Sequence, residues 1–467
     1  MRRFLLCFAL AAGLLGLLAA PALASAKTFT VPYSGPHDYT PAIQAAFNAA
    51  VKAGPGSVVQ LSAGHFYTNN IVVNGFQGTF QGAGEGKTVI DCLRGLNSSL
   101  SGVTGNSYGA NLFFFDGGDI NVSAMSFDIT AFSPVDSASN GGNDFLSDMV
   151  DVTGNVVSSS FDQVAFVTGT GNDDGFNSDE ALYIGGSGAV DANGAPTTFW
   201  SISGTESVCD CSFVGNDGVQ IEGLVKGSAT VTDNVITAQG GFGCLLFDNS
   251  DSAVAVCHNR IAGAVMEDVW ILQGWQAGFG GFLPPLPAPH YLIADNQMLA
   301  TGTAGGVWVE DDSSFYNGPN RLDATITNNA IALDNDGYDA GVDGVYAQGI
   351  RVLDNHIWGT GLAGIDVGVM TSLGTLPAAP ASDWQIIGND MGGLTASTDQ
   401  GGPGAQIWLG PEADHCLVVG CGPTTALDQG TDDILINTTP VSDPPAASAA
   451  LRSQLSKAHM FKETKPF

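Results

Sequence analysis

The sequence predicts an all-β solenoid, one long stack of short parallel strands with a short helix over its N-terminal end. Three observations predict it. An asparagine returns six times in nearly the same frame, as in Val-Thr-Asp-Asn234-Val-Ile236 and Val-Cys-His-Asn259-Arg-Ile261, and again at Asn296, Asn329, Asn355 and Asn389. Successive asparagines lie 25, 37, 33, 26 and 34 residues apart, as in a repeat near 25 residues with variable insertions. Apolar residues alternate around each asparagine, which reads as a strand with one buried face. An inward asparagine in every coil can stack on its neighbours and pass amide hydrogen bonds along the column. For 467 residues, a single solenoid accounts for the repeat better than several compact domains, because each coil packs only on its neighbours.

The elements follow in order. Residues 1–26 read as a secretory signal: Arg2 and Arg3, an apolar run, then Ala22-Leu-Ala-Ser-Ala26 with cleavage after Ala26. The run is too short for a membrane anchor, and no later stretch is apolar enough to span. The protein is therefore expected to be secreted, extracellular or periplasmic. Thr40 can cap a helix with Pro41 at its first position, Ile43, Phe47 and Val51 form its apolar stripe, and Gly54 ends it. Such a helix would shield the first coil from edge pairing. Residues 27–438 are assigned to the coils, and residues 439–467 to a Pro/Ala-rich linker and basic tail.

A second strand follows each asparagine strand, for example Asp268-Val-Trp-Ile-Leu272 and Gly306-Val-Trp-Val-Glu310. The alternation points Val219, Ile221, Val269, Ile271, Val307, Val309, Ile365 and Val367 inward. Their neighbours then form an outward stripe containing Glu222, Phe247, Trp270, Trp308, Glu310, Tyr346, Asp366 and Trp408.

Three early segments carry a resemblance: the helix beginning Tyr39-Thr-Pro-Ala-Ile43, Gln60-Leu-Ser-Ala-Gly-His-Phe-Tyr67, and Gly82-Ala-Gly-Glu-Gly-Lys-Thr-Val-Ile90. With the repeats, the chain resembles pectin-lyase-like right-handed parallel β-helix proteins over about residues 28–438. The resemblance implies a right-handed parallel β-helix. It implies no single reaction, since the superfamily holds lyases, hydrolases, epimerases, tailspikes and non-catalytic surface proteins.

Charge narrows the partners. The chain has 14 Lys+Arg against 46 Asp+Glu, a formal charge of −32, and losing Arg2 and Arg3 with the leader deepens the imbalance. Nucleic acid is excluded by the shortage of cations. A polyanionic sugar would be repelled unless a cation such as Ca²⁺ bridged it to the carboxylates. Cys92, Cys209, Cys211, Cys244, Cys257, Cys416 and Cys421 remain after cleavage, an odd number. Cys416 and Cys421 are the best-placed pair for a disulfide, and Cys211 falls one coil before Asn234 as a buried thiol.

The outward stripe is where chemistry is expected. Aromatic faces suit the CH faces of sugar rings, so Phe247, Trp270, Trp308, Tyr346 and Trp408, with Glu222, read as a saccharide-binding row. The competing reading is a second core buried under long loops. Inverting glycoside hydrolysis needs an acid and a base about 6.5–9.5 Å apart. Asp268 with Glu310, Glu310 with Asp343, and Asp343 with Asp366 are each expected one coil apart. Glu310, flanked by Trp308 and Trp270, is assigned as general acid, with Asp343 or Asp268 as base.

Asn172-Asp-Asp174-Gly-Phe-Asn177 and Gly215-Asn-Asp217-Gly-Val219 are also similar to polygalacturonase segments, which would make Asp174 and Asp217 the matching carboxylates. The family's Gly-His-Gly stands here as Gly241-Phe-Gly243, and its Arg-Ile-Lys has no counterpart. The coils offer few bases for β-elimination. No cofactor is required. Asp334-Asn-Asp-Gly-Tyr-Asp339 has the oxygen density calcium prefers but lacks the full loop pattern, and a polar turn is the better account of it. The sequence thus points to binding and cleavage of an extracellular polysaccharide, hydrolysis before β-elimination. A non-catalytic carbohydrate-binding or adhesion β-helix and a Ca-dependent lyase stay open.

Overall fold

The computed structural model describes residues 26–93, 111–130, 148–168, 180–186, 198–215, 217–239, 241–274, 276, 287–302, 304–313, 322–334, 339–368, 381–398 and 402–440. Residues 1–25, Asp174 and residues 441–467 lie outside them. The chain is a right-handed parallel β-helix, and its described strand pairs are parallel.

Helix α1 spans Thr40–Ala53 and packs on strands Thr28–Val31, Ser57–Leu61 and Ile71–Gln81 at the N-terminal end. Thr40 is its first residue and not its cap: the Asp38 carboxylate accepts the Thr40 amide at 2.8 Å, while Thr40 Oγ1 accepts from Asn69 N. Ile43, Phe47 and Ala50 are buried, and Phe47 meets Phe76 and Phe80 edge-on. Val51, expected in the stripe, is 38% exposed.

Each regular coil has three strands where the sequence suggested two. The asparagine sits at a bend that splits its strand. The residue before it takes a left-handed conformation, at Asp233, His258, Asp295, Asn328, Asp354 and Gly388. Asp, Asn and His tolerate that conformation better than most residues with a Cβ. Strands such as Ser228–Thr232 and Ala253–Cys257 form sheet 1, before the bend. Val235–Ala238 and Arg260–Ala262 belong to sheet 2, after it. Asp217–Glu222, Phe242–Phe247, Glu267–Gln273, Gly305–Asp311, Val342–Val345, Ile365–Val367 and Ile407–Leu409 form sheet 3.

The asparagine column is continuous. From Asn234 to Asn389, each Nδ2 donates to the next Oδ1 at 2.9–3.0 Å, and each backbone amide donates to the same oxygen. In Asn234 to Asn355, Nδ2 also donates to a carbonyl of the preceding coil, so both amide hydrogens are used. Cysteine closes the column at both ends. Cys211 N donates to Asn234 Oδ1, and Cys421 holds the register position after Asn389 with its thiol toward Ile386 O. Cys416 and Cys421 are separate free thiols, each aimed at its own carbonyl, so the expected disulfide is not formed.

The core runs inside the coils. Phe127, Phe166 and Phe213 stack at 5.4 and 4.8 Å, and Ile236, Ile261, Met298, Ile331 and Ile357 continue their column. Each such side chain, fully buried, contributes about 1.5–3 kcal/mol. The inward assignments on sheet 3 hold, with Val219, Ile221, Val269, Ile271, Val307, Val309, Ile365 and Val367 at 0–1% exposure. Trp384 fills the space left by Gly344, where a Cβ would lie 2.1 Å from its ring. Among the described residues no helix is long and apolar enough to cross a membrane.

Candidate active site on the outward face of sheet 3

The register orders the outward side chains of sheet 3 into rows. One row runs Gln220, Leu245, Trp270, Trp308, Asp343, Asp366, Trp408. A parallel row, two residues further along each strand, runs Glu222, Phe247, Leu272, Glu310, Val345. A third row, at the strand starts, carries Phe242, Glu267 and Gly305.

Two expected neighbours move. Asp343 pairs with Trp308, and Glu310 with Val345, so Asp343 and Glu310 are one coil apart but offset by two residues. Asp268 leaves the face altogether. Its register partner on one side is Gly243, where a Cβ would point at Ile261 of the core. Asp268 is fully buried at this inward corner, so it cannot serve as a base for substrate on the outer face. The strand begins at the bend, where simple alternation misassigns the face. The strand that carries Asp343 is Val342–Val345, and Tyr346 follows it with φ +57°.

The aromatics are packed together. Phe247 meets Trp270 at 6.1 Å, and Trp270 meets Trp308 at 6.4 Å. With Phe242, Leu245, Leu272, Val345 and Tyr346 they form a second apolar cluster outside the main core. Trp270 is 8% exposed and Trp308 6%, so this row is nearly closed to solvent. Trp408 lies beyond Asp366 in a smaller cluster, its Nε1 donating to Gln429 Oε1.

Acids gather beside the aromatics. Trp308 Nε1 donates to Glu310 Oε2 at 3.2 Å. An indole N–H can only donate, which favours the ionised carboxylate. Glu267 leans across Gly305, where a Cβ would lie 2.3 Å from Oε2, and its carboxyl lies close to that of Asp339. Two neighbouring carboxyls disfavour a second charge. Burial, then Asp339 and Asp343, push Glu267 well above the usual range, and burial pushes Asp339 up to about 7. Burial and the Asp339 charge also hold Asp343 well above the usual range. Asp343 is only half-buried by surface area, so solvent reaches the face there. Among the described residues, no Lys, Arg or His forms an ion pair with Glu267 or Asp343.

Glu222 belongs to a polar network instead. It accepts from Tyr183 Oη, Gln220 Nε2 and Gln276 Nε2, while Asp248 accepts the Gly274 and Gln276 amides. Burial and then Asp248 raise Glu222 to about 7. Asp217 accepts the Phe242 amide at 3.0 Å. Sequence reasoning gave Glu267 no catalytic role, read Asp339 only as part of a polar or calcium-binding turn, and passed over Asp248. The available signal for Glu267 was its position opening a sheet 3 strand, one coil beyond Phe242. Among the described residues, the acid clusters tight enough for a metal are Asp162, Cys209 and Asp210, and Asp414, His415 and Asp432, away from this face.

No family model matches the chain, and no curated protein does. Solved structures do. A DFA-IIIase from Arthrobacter chlorophenolicus A6, determined without its lid and in complex with GF2, aligns with TM-score 0.52 and 12% identity over 90% of this chain and 100% of that one. The mannuronan C-5 epimerase AlgE6 A-module of Azotobacter vinelandii gives 0.48 and 15%, over 88% and 97%. The polygalacturonase of Erwinia carotovora ssp. carotovora gives 0.45 and 12%, over 91% and 99%. At these identities the likeness establishes the fold class, a right-handed parallel β-helix, and leaves the chemistry to the site.

Proposed function

We propose that this is a secreted protein that binds and hydrolyses an extracellular polysaccharide on the outward face of sheet 3. One observation carries the reading: Asp343 and Glu310 flank Trp308 from adjacent coils in different environments. Burial and the Asp339 carboxyl push the Asp343 carboxyl well above the usual carboxylate range. Glu310 accepts the indole N–H, which favours its charge. Environments that drive two carboxyls apart define an acid and a base. The strand spacing and rise put their Cα atoms about 8 Å apart, near enough for both carboxyls to reach one substrate. Asp343 is then the general acid and Glu310 the base, the reverse of the roles expected from sequence. Asp366, next to Asp343 in the row, orients substrate. Phe247, Trp270 and Trp308 supply the apolar floor.

A non-catalytic carbohydrate-binding or adhesion role is favoured by the near-closure of Trp270 and Trp308. Asp343→Asn and Glu310→Gln separate the two. Hydrolysis by inversion predicts that each loses turnover by about 10²-fold or more while saccharide affinity holds, and that proton NMR shows the inverted anomer first. Turnover that survives both substitutions removes the pair from the mechanism. Binding without turnover in the unsubstituted protein establishes the non-catalytic reading.

A further inference from the structure

A second polar groove lies away from the Asp343 row, at the turn that leads from sheet 3 into sheet 1. It is an open depression of about 580 Å³ lined by Val157, Gly204, Thr205, Lys226, Gly227, Ser228 and Asp251. Val225 bridges to Ser250, so Lys226 and Asp251 occupy equivalent turn positions in adjacent coils. Both are exposed and both hold left-handed backbone, φ +55° and +47°. Two glycines let the coil backbones stack closely beneath it: a Cβ at Gly227 would lie 2.2 Å from Gly204 O, and one at Gly204 2.6 Å from Val156 O. Thr205 and Ser228 pair across the coils. Among the described residues, neither hydroxyl donates to a protein group, and Lys226 forms no ion pair. In a chain with 14 cations and 46 acids, such a lysine is scarce.

We propose that this groove binds an acidic sugar unit, a single carboxylated or sulfated residue within an otherwise neutral glycan. The Lys226 ammonium takes the anionic group. The Thr205 and Ser228 hydroxyls and the Asp251 carboxylate hydrogen-bond to the ring hydroxyls. Asp251 beside Lys226 disfavours a bare inorganic anion, which has no hydroxyl to offer it. The formal charge of −32 disfavours a polyanion, whereas one isolated acidic unit answers mainly to charges within a Debye length, about 8 Å at physiological salt. The site does not depend on the reaction proposed for sheet 3.

The test is calorimetry on the full chain carrying Asp343→Asn, so that no cleavage intervenes. The probes are cellotriose, its C6-carboxylated analogue and sodium sulfate. The expected result is tighter binding of the carboxylated trisaccharide than of cellotriose, weakening with added NaCl. Lys226→Ala should reduce that affinity at least about tenfold, and Asp251→Asn should weaken the sugar while strengthening sulfate. Circular dichroism checks that these exposed-residue variants fold. Equal affinity for the two trisaccharides, no effect of Lys226→Ala, or binding of sulfate alone overturns the proposal. Lys226→Ala with Asp343 intact should cleave at the unsubstituted rate on neutral substrates, so failure here and failure of the hydrolytic reading are read separately.

Discussion

Replacing one asparagine of the column removes a countable set of hydrogen bonds, and the count differs along the stack. Asn296 Oδ1 accepts two buried donors, the amide and the Nδ2 of Asn259, both at 3.0 Å. Asn234 Oδ1 accepts the amide of Cys211 at 2.9 Å, because the preceding position is a cysteine with no second N–H to give. Each side chain is 1% exposed, and each donates one Nδ2 hydrogen to a carbonyl of the preceding coil. The space emptied by Asn→Ala is therefore alike at the two sites, and the orphaned donors differ. A buried donor left without its acceptor costs about 1–3 kcal/mol. Asn296→Ala should then lose about 2–6 kcal/mol, and Asn234→Ala about half that. Urea unfolding followed by circular dichroism gives the losses. Hydrogen exchange read by mass spectrometry should place the lost protection in the peptide containing Asn259 for the first variant and Cys211 for the second. Equal losses at the two sites, or protection unchanged at Asn259, would refute the account of the column.

Two further outcomes follow from buried acids. Glu206 is 1% exposed, bonds to Ser159, and is raised by burial from 4.5 to about 7. Its folded form holds the proton more tightly than the unfolded chain, so its contribution is fully present below pH ~4.5 and lost as pH rises through about 7, a swing of roughly 3 kcal/mol. Glu206→Gln should be more stable than the parent at pH 8, with most of that advantage gone at pH 5. Urea midpoints that shift in parallel at both pH values would contradict this. Asp268 stands in a register column between Gly218 and Gly243 on one side and Gly306, Gly341 and Gly364 on the other, and burial holds its carboxyl well above the usual range. Asp268→Gly restores the repeat and removes a buried acid, so it should stabilise the protein by about 1–2 kcal/mol at pH 8. A lowered melting temperature would show that the Asp268 carboxyl supports the corner.

Much of the fold was legible because the solenoid repeats its grammar. The Asn234–Asn389 column and the inward Val and Ile of sheet 3 follow from spacing and alternation alone. The bend at each asparagine was not read, since it depends on a left-handed residue such as Asp233 that leaves the apolar alternation on either side intact. The site was legible as a row of acids and aromatics, and less so as geometry. Alternation carries no information at a corner, so Asp268 was placed outside when it lies inside. The long insertions between coils hid the two-residue offset between Glu310 and Asp343. Asp339 reached the site from a turn that its neighbours' polarity explained well enough, and Glu267 reaches it only because Gly305 leaves room.

Product analysis tests the central claim most directly. Protein lacking residues 1–26 is incubated with a broad panel of polysaccharides, with and without Ca²⁺, and the products are examined for reducing ends and for absorbance from unsaturated sugars. The account predicts new reducing ends without unsaturation, produced with or without calcium and abolished by Asp343→Asn. Unsaturated ends, or a panel left uncleaved while the protein still binds one of its members, would contradict it.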